Sequence, residues 1–196
     1  MTVQNGPGGF NSSSEAAPTR RSGPLIFQLL CGTLDGSAMI EYQTGDILEA
    51  DAQALVNSVN CMGVMGKGIA LQFKQKFPQN FRRYEEVCKN DALKPGRVFV
   101  HDRGALFSDD QAQRYIVNVP TKTHWRLPSE IEYIEEGMQA LVDEVQQRGI
   151  TSVAIPPLGC GNGGLEWTHV EAIIRQQMQA VTDTRVVLYP PGARSR

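Results

Sequence analysis

Two glycine-rich segments and one lysine hold the residue types that could do chemistry. The first segment runs Asn57-Ser-Val-Asn60-Cys61-Met-Gly63-Val-Met65-Gly66-Lys67-Gly68-Ile69, and the second runs Pro156-Pro157-Leu158-Gly159-Cys160-Gly161-Asn162-Gly163-Gly164. Each follows an apolar, β-branched run, Ala54 to Val59 and Ser152 to Ile155, that reads as a buried strand. Each precedes a helical pattern. Strand, glycine loop and helix start together point backbone N–H groups and a helix dipole at an anion. Glycine there lets a ligand come close to bare backbone. The short amides of Asn57 and Asn60 stand near the end of the first strand. Neither dinucleotide nor P-loop fingerprint fits, because there is no G-x-G-x-x-G and Lys67 is followed by Gly68 rather than Ser or Thr. The lysine is Lys122, just past the run Arg114 to Pro120, with His124, Trp125 and Arg126 behind it. By type alone it is a solvated charge. Trp125 offers a surface for stacking a base or a lid over the following helix, and Arg126 offers a phosphate contact.

The four cysteines, Cys31, Cys61, Cys88 and Cys160, form no C-x-x-C pair. Neither a zinc site nor a disulfide framework is expected, and a reducing cytoplasm fits. Cys61 and Cys160 lie in the glycine loops, but no histidine stands near them in sequence to activate a thiolate. No metal motif is evident, so activity should survive chelators.

Hydrophobic residues make up 41% of the 196 and charged residues 20%, ordinary for one globular domain with an appendage. The net charge of −2 excludes strong nonspecific attraction to nucleic acid, so any such contact must be local. No apolar run is long enough to span a membrane. Arg20-Arg21 ahead of Leu25 to Leu34 only faintly resembles a secretory signal. Residues 1–38, rich in Gly, Ser, Asn and Pro, are expected to be a disordered or loosely attached leader, with Leu25 to Leu34 at most a loose strand. Met39 could be the true start. The folded domain is expected over 39–190, with 191–196 a tail.

Strands are expected at Ile40 to Tyr42, Ala54 to Val59, Arg97 to His101, Arg114 to Pro120, Ser152 to Ile155 and Arg185 to Tyr189. Ile69, Ala70, Phe73 and Phe77 read as one helix face, and Gln79 to Lys89 as a second short helix. Ser129 with Glu132 reads as a capping box ahead of a helix that ends at Gly149, and Trp167 to Val181 as a last helix. Strands alternating with helices imply an α/β fold with a largely parallel sheet covered on both faces. Ligands then sit at the strands' carboxyl ends, where Asn57, Asn60, Lys122 and Gly159 to Gly164 would converge.

Over residues 39–190 the sequence resembles the macrodomain family, the binders of ADP-ribose. The resemblance rests on Gly45-Asp46-Ile47, Val56-Asn57 with Asn60, Gly63-Val-Met-Gly-Lys-Gly-Ile-Ala70 and Pro156-Pro-Leu-Gly-Cys-Gly161. Within the family it is most similar to the DarG-type antitoxin macrodomains, which in turn resemble the terminal ADP-ribose protein glycohydrolase. The marks are Met65-Gly-Lys-Gly-Ile-Ala-Leu-Gln-Phe73, Pro120-Thr-Lys-Thr-His-Trp-Arg126 and Gly159-Cys-Gly-Asn-Gly-Gly-Leu-Glu-Trp167. The resemblance implies a three-layer α/β/α macrodomain with a mixed, largely parallel sheet. It implies removal of ADP-ribose from thymine in single-stranded DNA, a form of DNA repair that counters a DarT-type toxin, by a monomer without cofactor.

Site residues follow from the same resemblance. Asp46, a turn residue by composition alone, would accept a hydrogen bond from adenine, helped by the Ile47 backbone. Asn57 and Met65 to Ile69 on one side, and Pro157 to Gly163 on the other, would line the ligand and clasp its diphosphate. Tyr189 would pack near the adenosine end or simply in the core. Asn60 would face the distal ribose and Lys122 would be catalytic. Lys122 would protonate the departing base as an ammonium. Alternatively it would attack the anomeric carbon as an amine, given a pKa lowered by burial beside Lys67 or Arg126. His124, Trp125 and Arg126 would meet the DNA. Asn162-Gly163-Gly164 stands where the terminal glycohydrolase has an aspartate, which weighs against protein-ester substrates. The competing readings are a pure ADP-ribose reader module and a hydrolase of ADP-ribose esters on proteins or of ADP-ribose 1″-phosphate.

Overall fold

The computed structural model describes residues 38–104 and 112–192. The leader up to residue 37, including Leu25 to Leu34 and Cys31, and the last four residues of the tail lie outside the described residues.

In chain order the elements are β1 (Met39–Tyr42), β2 (Ala54–Asn60), α1 (Gly68–Lys76), α2 (Pro78–Lys89), β3 (Phe99–Asp102), β4 (Tyr115–Lys122), α3 (Ile131–Arg148), β5 (Ser152–Ile155), α4 (Trp167–Met178) and β6 (Arg185–Leu188). They build a six-stranded sheet in the order β1-β6-β5-β2-β4-β3. Every pairing is parallel except β3 with β4. The sheet is mixed and largely parallel, as the strand–helix alternation requires.

The two faces follow the strand period of two. Val56, Val117, Val119, Ile155 and Leu188 pack with Ile134, Met138 and Leu141 of α3 and Val170, Ile174 and Met178 of α4. Their neighbours Leu55, Ile116, Ala154 and Val187 face the other way, onto Phe73 and Phe77. A smaller cluster of Val59, Met65, Tyr84 and Leu93 seats α2. Helices therefore cover both faces, giving three layers.

Several boundaries differ from expectation for local reasons. The face running from Ile69 to Phe77 is not one helix. Phe77 is non-helical (φ −123°, ψ 67°) and joins two helices, because a residue before proline is steered away from helical ψ and Pro78 opens α2. Ser129 is not an N-cap. Glu130 holds that place without a side-chain cap. Ser129 is buried, its N–H bonds Gly163 O at 3.0 Å, and its hydroxyl donates to Thr121 Oγ1 at 3.3 Å. The helix begun at Trp167 stops at Met178 rather than Val181. Gly149 does end α3, with φ 60°.

Candidate functional site

The catalytic candidates meet at an irregularity between β2 and β4. Val59 pairs with Pro120, but Asn60 pairs with Lys122, so β4 carries Thr121 as an extra residue and extends two residues past Pro120. Such bulges re-aim side chains beside active sites. Here the bulge sets Lys122, rather than Thr121, opposite Asn60. Thr121 is buried, its hydroxyl 3.0 Å from Ser58 Oγ, while Lys122 stays half-buried at the surface.

Lys122 Nζ donates to Leu127 O at 2.8 Å and to Asn162 O at 3.2 Å. One ammonium thus joins the loop after β4 to the second glycine loop. Its pKa is lowered by burial alone. The lowering expected from Lys67 or Arg126 is absent, so the environment that shifts this lysine is desolvation and not a neighbouring cation.

Asn60 spends its amide on the first glycine loop. Its Oδ1 accepts from Met62 N at 2.8 Å, Val64 N at 3.4 Å and Tyr84 Oη at 3.2 Å, and its Nδ2 donates to Val64 O at 2.6 Å. Tyr84 also donates to Asn60 O at 2.7 Å. The amide therefore shapes the loop that leads to Gly66 and α1. Helix α1 opens at Lys67 with no side-chain cap, so no N-cap side chain competes with an anion for its first N–H groups.

The two glycine loops converge. A Cβ on Gly68 (φ +58°) would lie 3.1 Å from Asn162 Nδ2. In the second loop a Cβ on Gly163 would lie 2.2 Å from Gly159 O and 2.2 Å from Ser129 Oγ, so only glycine fits. The buried Ser129, expected as a helix cap, is the wall this loop folds against. Gly161, by contrast, faces open space.

A cleft of about 430 Å³ is lined by Asp46, Ile47, Ile69, Pro157 and Tyr189, and by Gly45, Gln72, Pro156 and Pro190–Gly192. Of the last group, Gly45, Gln72 and Pro156 stood in the sequence motifs without a site role, and Pro190 to Gly192 escaped the sequence reading. Gln72 follows Ile69 by three positions on α1, and Pro190 to Gly192 follow the carboxyl end of β6, so helix period and the strand-end rule were the available signals. Asp46 Oδ1 accepts from Leu48 N at 2.9 Å, capping a short 3₁₀ turn at Ile47–Glu49.

Other expected site residues lie below the surface. Asn57 is fully buried, where its Nδ2 donates to Asn118 Oδ1 at 3.0 Å and contacts Met65 Sδ at 3.9 Å. Asn80 and Asn118 complete this amide cluster, Asn118 Nδ2 donating to Asn80 Oδ1 at 2.7 Å. Met65 and Leu158 are core residues. Tyr189 is buried too, and its hydroxyl has no partner among the described residues. Both loop cysteines are poor nucleophiles, since burial pushes Cys61 and Cys160 up to about 11. Trp125 is 47% exposed, so it is not a core lid. Its ring stacks on His124 at 5.4 Å, and the Arg126 guanidinium lies 4.5 Å from it.

A parallel-sheet crevice with two glycine loops and an uncapped helix start defines a phosphate-binding α/β domain. The Macro domain family matches residues 56–174, and the chain belongs to the macrodomain family. It is 49% identical over 158 residues to the DNA ADP-ribosyl glycohydrolase of Mycobacterium tuberculosis, covering 81% of this chain and 44% of that one. It thus spans less than half the length of that curated relative. The macrodomain of Mycobacterium tuberculosis DarG superposes with a TM-score of 0.75 at 49% identity, covering 79% of this chain and 99% of the other. Thermosipho africanus DarTG in complex with ADP-ribose superposes with a TM-score of 0.69 at 35% identity, covering 77% and 42%.

Proposed function

We propose that this chain is an ADP-ribosyl glycohydrolase that removes ADP-ribose from thymine in single-stranded DNA, acting in the cytoplasm against a DarT-type toxin as a DNA-repair antitoxin. The observation that carries the reading is the bulge-set pair of Asn60 and Lys122, where both glycine loops meet. The name of the Mycobacterium tuberculosis relative and the ADP-ribose bound by Thermosipho africanus DarTG support it.

In this reading adenine lies against Asp46 and Ile47 in the cleft that Tyr189 walls. The diphosphate lies between Gly66 to Ile69 and Gly159 to Gly163, held by backbone N–H groups and the start of α1. Backbone donors need no net positive charge, which suits a chain of −2. Asn57, Met65 and Leu158 act from beneath, by fixing the loops. The distal ribose sits at Asn60, which places the anomeric carbon beside Lys122.

Cleaving the N-glycosidic bond builds positive charge on the sugar and negative charge on the departing thymine. Two carbonyl acceptors at Leu127 and Asn162 hold two Lys122 N–H groups and favour the ammonium. The third N–H then serves the leaving base. Burial lowers the lysine pKa and so makes it a better acid. Such assistance is worth about 10²–10⁴-fold.

The test is a single-stranded oligonucleotide carrying one ADP-ribosyl thymine, run beside a peptide carrying an ADP-ribosyl glutamate ester. Release from the oligonucleotide and little from the peptide is expected. Release from the peptide alone would move the assignment to esters. Release from neither, with ADP-ribose still bound, would leave a reader module.

A further inference from the structure

The exposed large apolar side chains among the described residues are few and grouped. Met39 and Tyr42 belong to β1, while Met62 (55% exposed), Val64 (40%), Trp125 (47%) and Leu127 (49%) belong to the loops after β2 and β4. These two strands are neighbours, and their loops are tied by Cys61 N donating to Thr123 O at 3.0 Å. Met62 and Val64 stand just past Asn60. Trp125 and Leu127 stand just past Lys122. The four therefore form one apolar rim beside the pair that the proposed reaction uses.

The loop backbones under this rim are fixed. Met62 N, Val64 N and Val64 O are all bonded by the Asn60 amide, and Leu127 O is bonded by Lys122. An apolar side chain held in water on a fixed backbone is ready to cover something flat. The half of the rim after β4 also carries the exposed Trp125 ring, with the His124 imidazole 5.4 Å and the Arg126 guanidinium 4.5 Å from its centroid. Aromatic rings and guanidinium planes are what unstacked nucleobases stack on, and an exposed arginine beside them can meet a phosphate.

We propose that this rim, Met62 and Val64 on one side and Trp125 and Leu127 on the other, grips the nucleobases flanking the modified thymine. This rests on the DNA-glycohydrolase reading above, and it deepens that reading. It makes the strand around the lesion, and not the ADP-ribosyl thymine alone, the recognised substrate. Bases reach such a rim only when unpaired, so the rim also selects single strands over duplex.

The test measures kcat/KM of the full chain on two substrates: ADP-ribosyl thymidine monophosphate, and an oligonucleotide of about eight nucleotides with one central ADP-ribosyl thymine. Wild type is compared with Met62→Ser/Val64→Ser, Leu127→Ser and Trp125→Ala, each checked for folding by circular dichroism. We expect wild type to favour the oligonucleotide, and each variant to lower the ratio of the two values by about fivefold or more through a raised oligonucleotide KM. An unchanged ratio in all three would overturn the proposal, as would a wild type that treats both substrates alike. If wild type releases ADP-ribose from neither, the activity reading fails by itself. Fluorescence anisotropy with an unmodified labelled oligonucleotide then decides the rim separately. Weaker binding by the variants supports it, and equal binding overturns it. Loss of binding to a toxin protein with the oligonucleotide ratio intact would make the rim a protein-docking face and also overturn it.

Discussion

Replacing Gly163 with alanine should break the second glycine loop, and the geometry says how. The new Cβ would lie 2.2 Å from Gly159 O and 2.8 Å from Ser129 Cβ. Both are roughly 1 Å or more short of ordinary contact. Ser129 Oγ, also at 2.2 Å, can rotate aside, but the Gly159 carbonyl is backbone. It already accepts from Leu165 N at 3.1 Å, and Gly163 O accepts from Ser129 N at 3.0 Å. The loop must therefore shift and strain these bonds. Overpacking of this kind costs about 1–3 kcal/mol, which is a Tm loss of about 2–12 °C in a domain this size. The same shift moves Asn162 O, one of the two acceptors that hold Lys122. A misplacement of about 1 Å at a reacting group is worth about 10²-fold in rate. The internal control is Gly161→Ala, whose Cβ meets nothing within 4 Å. It should keep the wild-type Tm while weakening ADP-ribose binding, because its methyl enters the space where the proposed function puts the diphosphate. Differential scanning calorimetry and titration calorimetry read both quantities. A Gly163→Ala protein with wild-type Tm and turnover would refute the packing argument. So would a Gly161→Ala protein that unfolds as early as Gly163→Ala.

Other outcomes follow from the same contacts. Tyr84→Phe removes the donor to Asn60 O and Oδ1 inside a buried cluster, and should lower the urea-derived stability by about 1–3 kcal/mol. Gly137→Ala should destabilise the protein although alanine is the better helix former by about 1 kcal/mol, because its Cβ would lie 2.7 Å from Val119 Cγ1; a rise in Tm would contradict this. If the Lys122 ammonium is the working acid, kcat/KM falls as pH rises through the lysine pKa, which burial places below the ordinary 10.5; a rise instead would show an attacking amine. The same lowered pKa means the unfolded chain holds this proton more tightly. Stability should therefore increase with pH between the folded value and 10.5, and Lys122→Met should remove that slope in pH-dependent denaturation.

The layers were legible in the sequence because hydrophobic period decides them. Val56 and Leu55, or Ile155 and Ala154, alternate toward the two helix layers as the strand period demands. The two glycine loops were legible as a class, since strand, glycines and helix start lie in one stretch. What fixes the site was not. The bulge at Thr121 needs knowledge of which strand lies beside β2, and register is a tertiary property. Pro120 was a partial signal, because proline within a sheet is confined to edges and bulges. Ser129 carried a correct local cap signature, Ser followed by Glu132, yet tertiary contact with Gly163 and Thr121 claimed its N–H and hydroxyl. Asn57 and Asn60 look alike in sequence, but the strand sends them to different places. Asn57 enters a buried amide cluster with Asn118, and Asn60 holds the loop in front of it. For Lys122 as an attacking amine the sequence pointed to a pKa lowered by burial beside Lys67 or Arg126; burial is the cause found, and the neighbouring cations add nothing, because residues close in sequence need not face each other in the fold.

The most direct test of the account separates binding from chemistry at Lys122. ADP-ribose affinity is measured by titration calorimetry, and single-turnover release from an ADP-ribosyl thymine oligonucleotide is followed, for wild type and Lys122→Ala. The account predicts ADP-ribose affinity within about threefold of wild type, since it assigns binding to backbone groups and Asp46, and a release rate lower by about 10²-fold or more. Release by Lys122→Ala at the wild-type rate would contradict the central claim that the lysine set opposite Asn60 by the bulge performs the chemistry.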